Sequence, residues 1–166
     1  SGQAKCLDCP AGRFMATNGS LQCDSCPLGK SQSLTGQSFC TDCVPGEFIV
    51  GTGAVACLFC AAGRFSNVSR AQDCLICPQG RFTGASGLSS CTACSTGDFN
   101  SNVEQSQCTG CPAGTFTDSN GTITCEPCDP GSHQSLSGKT ACDLCERGKF
   151  VNAPGQAQCT FCAAGT

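Results

Sequence analysis

The sequence predicts a small disulfide-rich fold, mostly β or irregular, built as an elongated, solenoid-like ladder of seventeen-residue hairpin repeats. Three observations predict it. All 20 cysteines of the 166-residue chain lie in a C-x-x-C motif that recurs without insertion or deletion. Cysteine is roughly one residue in eight, the density of a disulfide scaffold, while tryptophan and tyrosine are absent and methionine occurs once. No segment carries helical periodicity long enough to predict a helix.

The first cysteines of the pairs are Cys6, Cys23, Cys40, Cys57, Cys74, Cys91, Cys108, Cys125, Cys142 and Cys159, each 17 residues after the last. The second cysteines, Cys9 to Cys162, keep the same step. One phenylalanine per repeat is too little apolar surface to offset the entropy of ordering seventeen residues, so crosslinks must hold the chain. Such a density of disulfides persists only in an oxidising compartment, which predicts a secreted or cell-surface protein. The net charge of −3 and the absence of a basic cluster exclude a nucleic-acid partner. There is no apolar run long enough to span a membrane and no signal peptide in the sequence.

Residues 1–5 match the end of a preceding repeat, residues 6–158 form nine tandem repeats, and residues 159–166 begin a tenth. Neither end differs from the interior as a cap would, so the sequence reads as a window of a longer array. Counted from the first cysteine of each repeat, position seven is always glycine: Gly12, Gly29, Gly46, Gly63, Gly80, Gly97, Gly114, Gly131, Gly148 and Gly165. That regularity predicts a backbone demand, either positive φ or a close approach that a Cβ would block. Position nine is phenylalanine at Phe14, Phe48, Phe65, Phe82, Phe99, Phe116 and Phe150, with Ser31 and His133 as exceptions. Position fourteen is again mostly glycine. Two glycine-marked turns around a short extended piece read as a small hairpin. With two strands added per repeat, the rise is on the order of 10 Å.

A slower period lies above the first. CPAGRFMATNGSLQC (9–23) resembles CPAGTFTDSNGTITC (111–125), and GKSQSLTG (29–36) resembles GSHQSLSG (131–138), both 102 residues apart. FCAAG recurs at 59–63 and 161–165 at the same offset. Duplication of a six-repeat block accounts for all three matches.

The cysteines admit several repeating pairings: within each C-x-x-C, from the second cysteine to the first of the next repeat, or first to first and second to second. Spacing close to that of a zinc ribbon also admits four-thiolate metal sites. The unit C-x-x-C-P-x-G-x-F resembles the ephrin-receptor-like and growth-factor-receptor-like cysteine-rich repeats. Its C-P-x-G-x-F portion is similar to the single-disulfide hairpin module of tumour necrosis factor receptor ectodomains. The resemblance covers the full chain, with the proline present at Pro10, Pro27, Pro78 and Pro112 and replaced at Val44, Ala61, Ser95, Asp129 and Glu146. It implies an extracellular module with the pairs Cys9–Cys23, Cys26–Cys40, Cys43–Cys57, Cys60–Cys74, Cys77–Cys91, Cys94–Cys108, Cys111–Cys125, Cys128–Cys142 and Cys145–Cys159. Cys6 and Cys162 then pair outside the sequence given.

Asn18, Asn67 and Asn120 begin N-glycosylation signals, all in the polar arm of a repeat, so N-linked glycans are expected and no other cofactor. His133, the sole histidine, reads as a surface residue in the place of phenylalanine. Asp118-Ser-Asn120-Gly121 has too few of the ligand positions of a calcium loop and reads as a turn. Ten copies of C-x-x-C without a βαβ scaffold argue against a thiol oxidoreductase. The expectation is a non-enzymatic structural protein, a rod or fibril of a cell coat, appendage or matrix. Its partners are further copies or other extracellular structural proteins. A ligand-binding receptor ectodomain or stalk is the alternative.

Overall fold

The structure, a computed structural model, describes residues 8–17 and 20–163. Cys6, Asn18 and Gly165 lie outside them, as does the expected fragment at residues 1–5. The chain divides into two compact units, Ser1–Ile76 with Ala85–Ser90, and Cys77–Gly84 with Cys91–Thr166. Both are built alike. The described residues contain no helix, only two-residue strands from β1 (Arg13–Phe14) and β2 (Asp24–Ser25) to β17 (Lys149–Phe150) and β18 (Thr160–Phe161).

Each sheet is a single antiparallel hairpin. In the first, Arg13 faces Ser25 and Phe14 faces Asp24. Positions eight and nine of one repeat thus pair with positions two and three of the next, and from Asp24–Ser25 to Thr160–Phe161 the two residues inside the C-x-x-C are a strand. The hairpin expected inside one repeat instead closes across the repeat boundary. A tight turn starts it, with Arg13 N–H donating to the Pro10 carbonyl at 3.1 Å. The Cys26 N–H closes it on the Gly12 carbonyl at 2.9 Å, and the same bond recurs from Cys43 to Gly29.

Successive hairpins are joined by backbone hydrogen bonds of three recurring kinds. In the first unit, Gly12 N–H donates to Gln32 O at 2.7 Å, Gln32 N–H to Ala54 O at 3.0 Å, and Gly53 N–H back to Cys26 O at 2.7 Å. In the second unit, Gly97 donates to Thr117 at 2.8 Å, Thr117 to Lys139 at 3.2 Å, and Gly138 back to Cys111 at 2.8 Å. Each unit is therefore a ladder whose rungs satisfy one another's main-chain groups, as any dry backbone must.

The core is not built on the phenylalanines. Phe14, Phe48, Phe65, Phe82, Phe99 and Phe116 are only half-buried, and Phe150 is exposed. The buried column is instead the second cysteines from Cys9 to Cys128, together with position ten. At seven of the nine described repeats position ten is occupied by Gln32, Ile49, Ser66, Thr83, Asn100, Thr117 and Gln134, most of them polar and all at most 7% exposed, while Met15 and Val151 there are half-buried. Their side chains act as internal braces. Gln32 Nε2 donates to Phe39 O at 2.8 Å while its Oε1 accepts the Leu34 N–H at 3.0 Å. Gln134 repeats this with Ala141 O at 2.9 Å and Leu136 N–H at 3.1 Å. Asn100 Nδ2 reaches Arg81 O at 3.1 Å, and the Thr117 and Thr122 hydroxyls lie 2.7 Å apart. A polar residue is tolerated in a dry position when its groups are paired, and no buried side-chain nitrogen or oxygen among the described residues lacks a partner.

Candidate functional site

The recurring site of this chain is the rung itself, and its geometry explains the glycines. Position seven has positive φ, +80° at Gly12 and +92° at Gly46. A Cβ on Gly12 would also run into the Gly53 carbonyl oxygen, one on Gly46 into that of Gly87, and one on Gly80 into that of Gly121. Position seven therefore carries both demands that the sequence left open. The contact joins position seven of one repeat to position fourteen two repeats on, so each ladder interlocks beyond its nearest neighbours.

Position fourteen is likewise left-handed, from Gly36 to Gly155. Two residues there have side chains, Arg70 at φ 62° and Glu104 at φ 60°. Each still donates its N–H in the standard way, Arg70 to Cys43 O and Glu104 to Cys77 O, both at 2.8 Å. The stacking bond holds the backbone in a region costing an L-residue roughly 1–2 kcal/mol. The glycine preference at position fourteen was visible in the sequence; its sense as a hydrogen-bonded left-handed turn was not.

The described residues contain nine disulfides, joining Cys9 to Cys23, Cys26 to Cys40, Cys43 to Cys57, Cys60 to Cys74, Cys77 to Cys91, Cys94 to Cys108, Cys111 to Cys125, Cys128 to Cys142 and Cys145 to Cys159. Cα separations run from 5.6 to 5.8 Å, inside the ordinary disulfide range. Within each unit crosslinks such as Cys26–Cys40 and Cys111–Cys125 tie one rung to the next. Cys162 is exposed and outside any disulfide. Two clusters bring three ligand-type atoms within 4.8 Å of one another: His133 with Cys145 and Cys159, and Glu47 with Cys43 and Cys57. In both, the two cysteines are bonded to each other. A disulfide sulfur offers a metal no thiolate charge, so the ribbon-like spacing serves crosslinking here.

The two repeats without phenylalanine show what position nine faces. Ser31 Oγ lies 3.3 Å from Cys57 Sγ, and His133 Nδ1 lies 3.3 Å from Cys159 Sγ, the same step of 26 residues. His133 is half-buried against this sulfur and the Asp143 carbonyl, rather than the plain surface residue its sequence context predicts. These are also the two repeats with glutamine at position ten, so the shared Gln-Ser-Leu motif is the brace described above.

Charged pairs lie on the hairpin faces. Lys30 Nζ sits 2.8 Å from Asp42 Oδ1 across one hairpin, with Arg70 Nε at 4.0 Å. The hydrogen bond from Lys30, assisted by the charges of Lys30 and Arg70, holds the Asp42 carboxyl below its usual range. Lys149, at 2.8 Å, does the same to Glu146. Asn67 and Asn120 are exposed in the outer loops, and Asp118-Ser119-Asn120-Gly121 forms a turn in which Ser119 Oγ donates to Asp118 at 2.9 Å.

The sequence model of the family described as tyrosine-protein kinase ephrin type A/B receptor-like matches residues 1–43, 46–90 and 84–124. The chain belongs to this ephrin-receptor-like family. The matched stretches take in repeats of both compact units, and their tandem order follows the ladder. No curated protein matches the chain. Ephrin-receptor-like repeats crosslinked by nine disulfides suggest an extracellular module. Among the described residues no helix is long and apolar enough to cross a membrane.

Proposed function

We propose that this chain is a segment of an extracellular structural protein, a rod or fibril of a cell coat, appendage or matrix, carrying N-linked glycans. One observation carries the reading: the same three backbone bonds and the same crosslink recur at successive steps in each unit. A repeat of that kind extends reach without needing a new packing solution, and nearest-neighbour stacking is how solenoids grow. Glycans on the exposed Asn67 and Asn120 would shield the outer loops. The partners are further copies or other structural proteins outside the cell, and we assign the segment no catalytic role.

Small-angle scattering on secreted chains with increasing numbers of repeats tests the proposal. The maximum dimension should grow in proportion to repeat number, and intact mass should show glycan increments that peptide N-glycosidase removes. A dimension that stays constant as repeats are added would refute the rod.

A second reading is a receptor ectodomain or stalk that binds a protein ligand. It is favoured by the receptor in the family's description and by Leu58, Phe59, Leu75 and Ile76, which stand exposed on adjacent hairpins. Saturable binding of one purified extracellular protein, lost on Phe59→Ser, would decide for it.

A further inference from the structure

Nine chemically identical crosslinks differ in what stands beside their sulfurs. In most repeats position nine is phenylalanine, an apolar neighbour with no hydrogen to donate. Two crosslinks have polar neighbours instead, and those neighbours have opposite character. At Cys43–Cys57 the hydroxyl of Ser31 lies 3.3 Å from Cys57 Sγ, but Glu47 places a carboxylate within 4.8 Å of both sulfurs, and Cys43 is fully buried. At Cys145–Cys159 the neighbour is His133, and the notch beside it is lined by Cys159, Glu146, Lys149 and Phe161.

The tautomer of His133 follows from its contacts. Its Nδ1 lies 3.1 Å from the Asp143 carbonyl, which can only accept, so Nδ1 carries a hydrogen. The same N–H points within 3.3 Å of Cys159 Sγ. A neutral disulfide sulfur is a weak acceptor and leaves this hydrogen to the carbonyl. A thiolate at that place is a strong one. Thiol–disulfide exchange is governed by how well the leaving thiolate is stabilised and by access to the sulfur attacked. The donor at His133 favours this bond, with Cys159 as its leaving sulfur.

We infer that Cys145–Cys159 is a thiol-exchange site, with Cys145 Sγ as the sulfur attacked and Cys159 as the leaving thiolate received by His133 Nδ1–H. The co-reactant is a small thiol or the thiolate of a dithiol protein. Its lone pair forms the new S–S bond to Cys145, and the electron pair of the broken bond departs on Cys159 Sγ. The product is a mixed disulfide at Cys145 with a Cys159 thiolate, and no external oxidant is needed. A second thiolate attacking the outer sulfur of the mixed disulfide completes reduction and frees Cys145. Repulsion of a leaving thiolate by the Glu47 carboxylate makes Cys43–Cys57 the slower of the two crosslinks with a polar neighbour.

The test blocks free thiols on the native protein with iodoacetamide, so that Cys162 takes no part, and then adds reduced glutathione. Timed quenching with a second, isotopically distinct alkylating reagent and peptide mapping follow. The glutathione adduct should appear on Cys145 and the new alkyl group on Cys159 before any of the other eight bonds opens. The variant H133F installs the residue that seven other repeats carry. It should slow opening of this bond by about threefold to tenfold while the other eight keep their rates, which also shows that the fold is intact. An unchanged rate in H133F would mean that fraying alone opens the bond, and would overturn the inference. So would an adduct on Cys159, or prior opening of any other crosslink.

Discussion

Glycine at position seven answers two separate demands, and they can be pulled apart by substitution. At Gly46 the backbone is left-handed and the Gly87 carbonyl occupies the place of a Cβ, whereas at Gly138, a position-fourteen glycine with φ +71°, nothing lies within 4 Å. Alanine at Gly138 should therefore cost only the left-handed backbone penalty, about 1–2 kcal/mol. Alanine at Gly46 must also push two rungs apart and should cost about 3 kcal/mol or more. Denaturant unfolding of the two variants, disulfides intact, measures the difference; equal losses would mean that the stacking contact is unimportant. Arg70 and Glu104 show the converse case, where the stacking bond keeps a side-chain-bearing residue in glycine's conformation.

At the scale of the hairpin, two-residue strands are too short to be stable alone, so each relies on its brace and its cross-strand partners. Gln32 and Gln134 brace their loops from inside, while Lys30 and Asp42 face one another across the outside. The lowered Asp42 value fixes the sign of a pH effect. A carboxyl depressed in the folded state contributes stability that is fully present above its unfolded pKa and is lost as pH falls through the folded value. Thermal unfolding of the wild type and Lys30→Ala from about pH 6 to about pH 2 should therefore show a gap that narrows below the usual carboxylate range. The gap itself should be small, since the pair is solvent-exposed and screened. A gap that widens in acid would contradict the assignment.

Across the whole molecule, stability is local because each rung bonds only to its neighbours and interlocks two repeats on. Replacing Cys111 and Cys125 together by serine removes one crosslink, a loss of about 2–4 kcal/mol. Hydrogen exchange should rise in the adjoining rungs, at the Thr117 and Gly138 amides for instance. The Gly12 and Gly36 amides of the other compact unit should keep their protection. Uniform loss of protection would instead mean one cooperative fold. The exchange site at Cys145–Cys159 belongs to the same scale, since thiol chemistry there would loosen one rung and leave the rest standing.

Repeat length, β character and the positions of the special glycines were all legible in the sequence. They follow from spacing and composition, which no tertiary context alters. The role of position ten was not legible, because Gln, Ser, Thr and Asn there look like loop residues until their hydrogen bonds are seen. That phenylalanine makes no core was legible, since one per repeat is too little to order seventeen residues, and a ladder of single hairpins has no second layer to cover it. The contact of His133 with a sulfur 26 residues away was invisible in the sequence. Local spacing is written in the chain, whereas which side chain meets which two rungs later depends on how the rungs stack, and only the tertiary structure decides that.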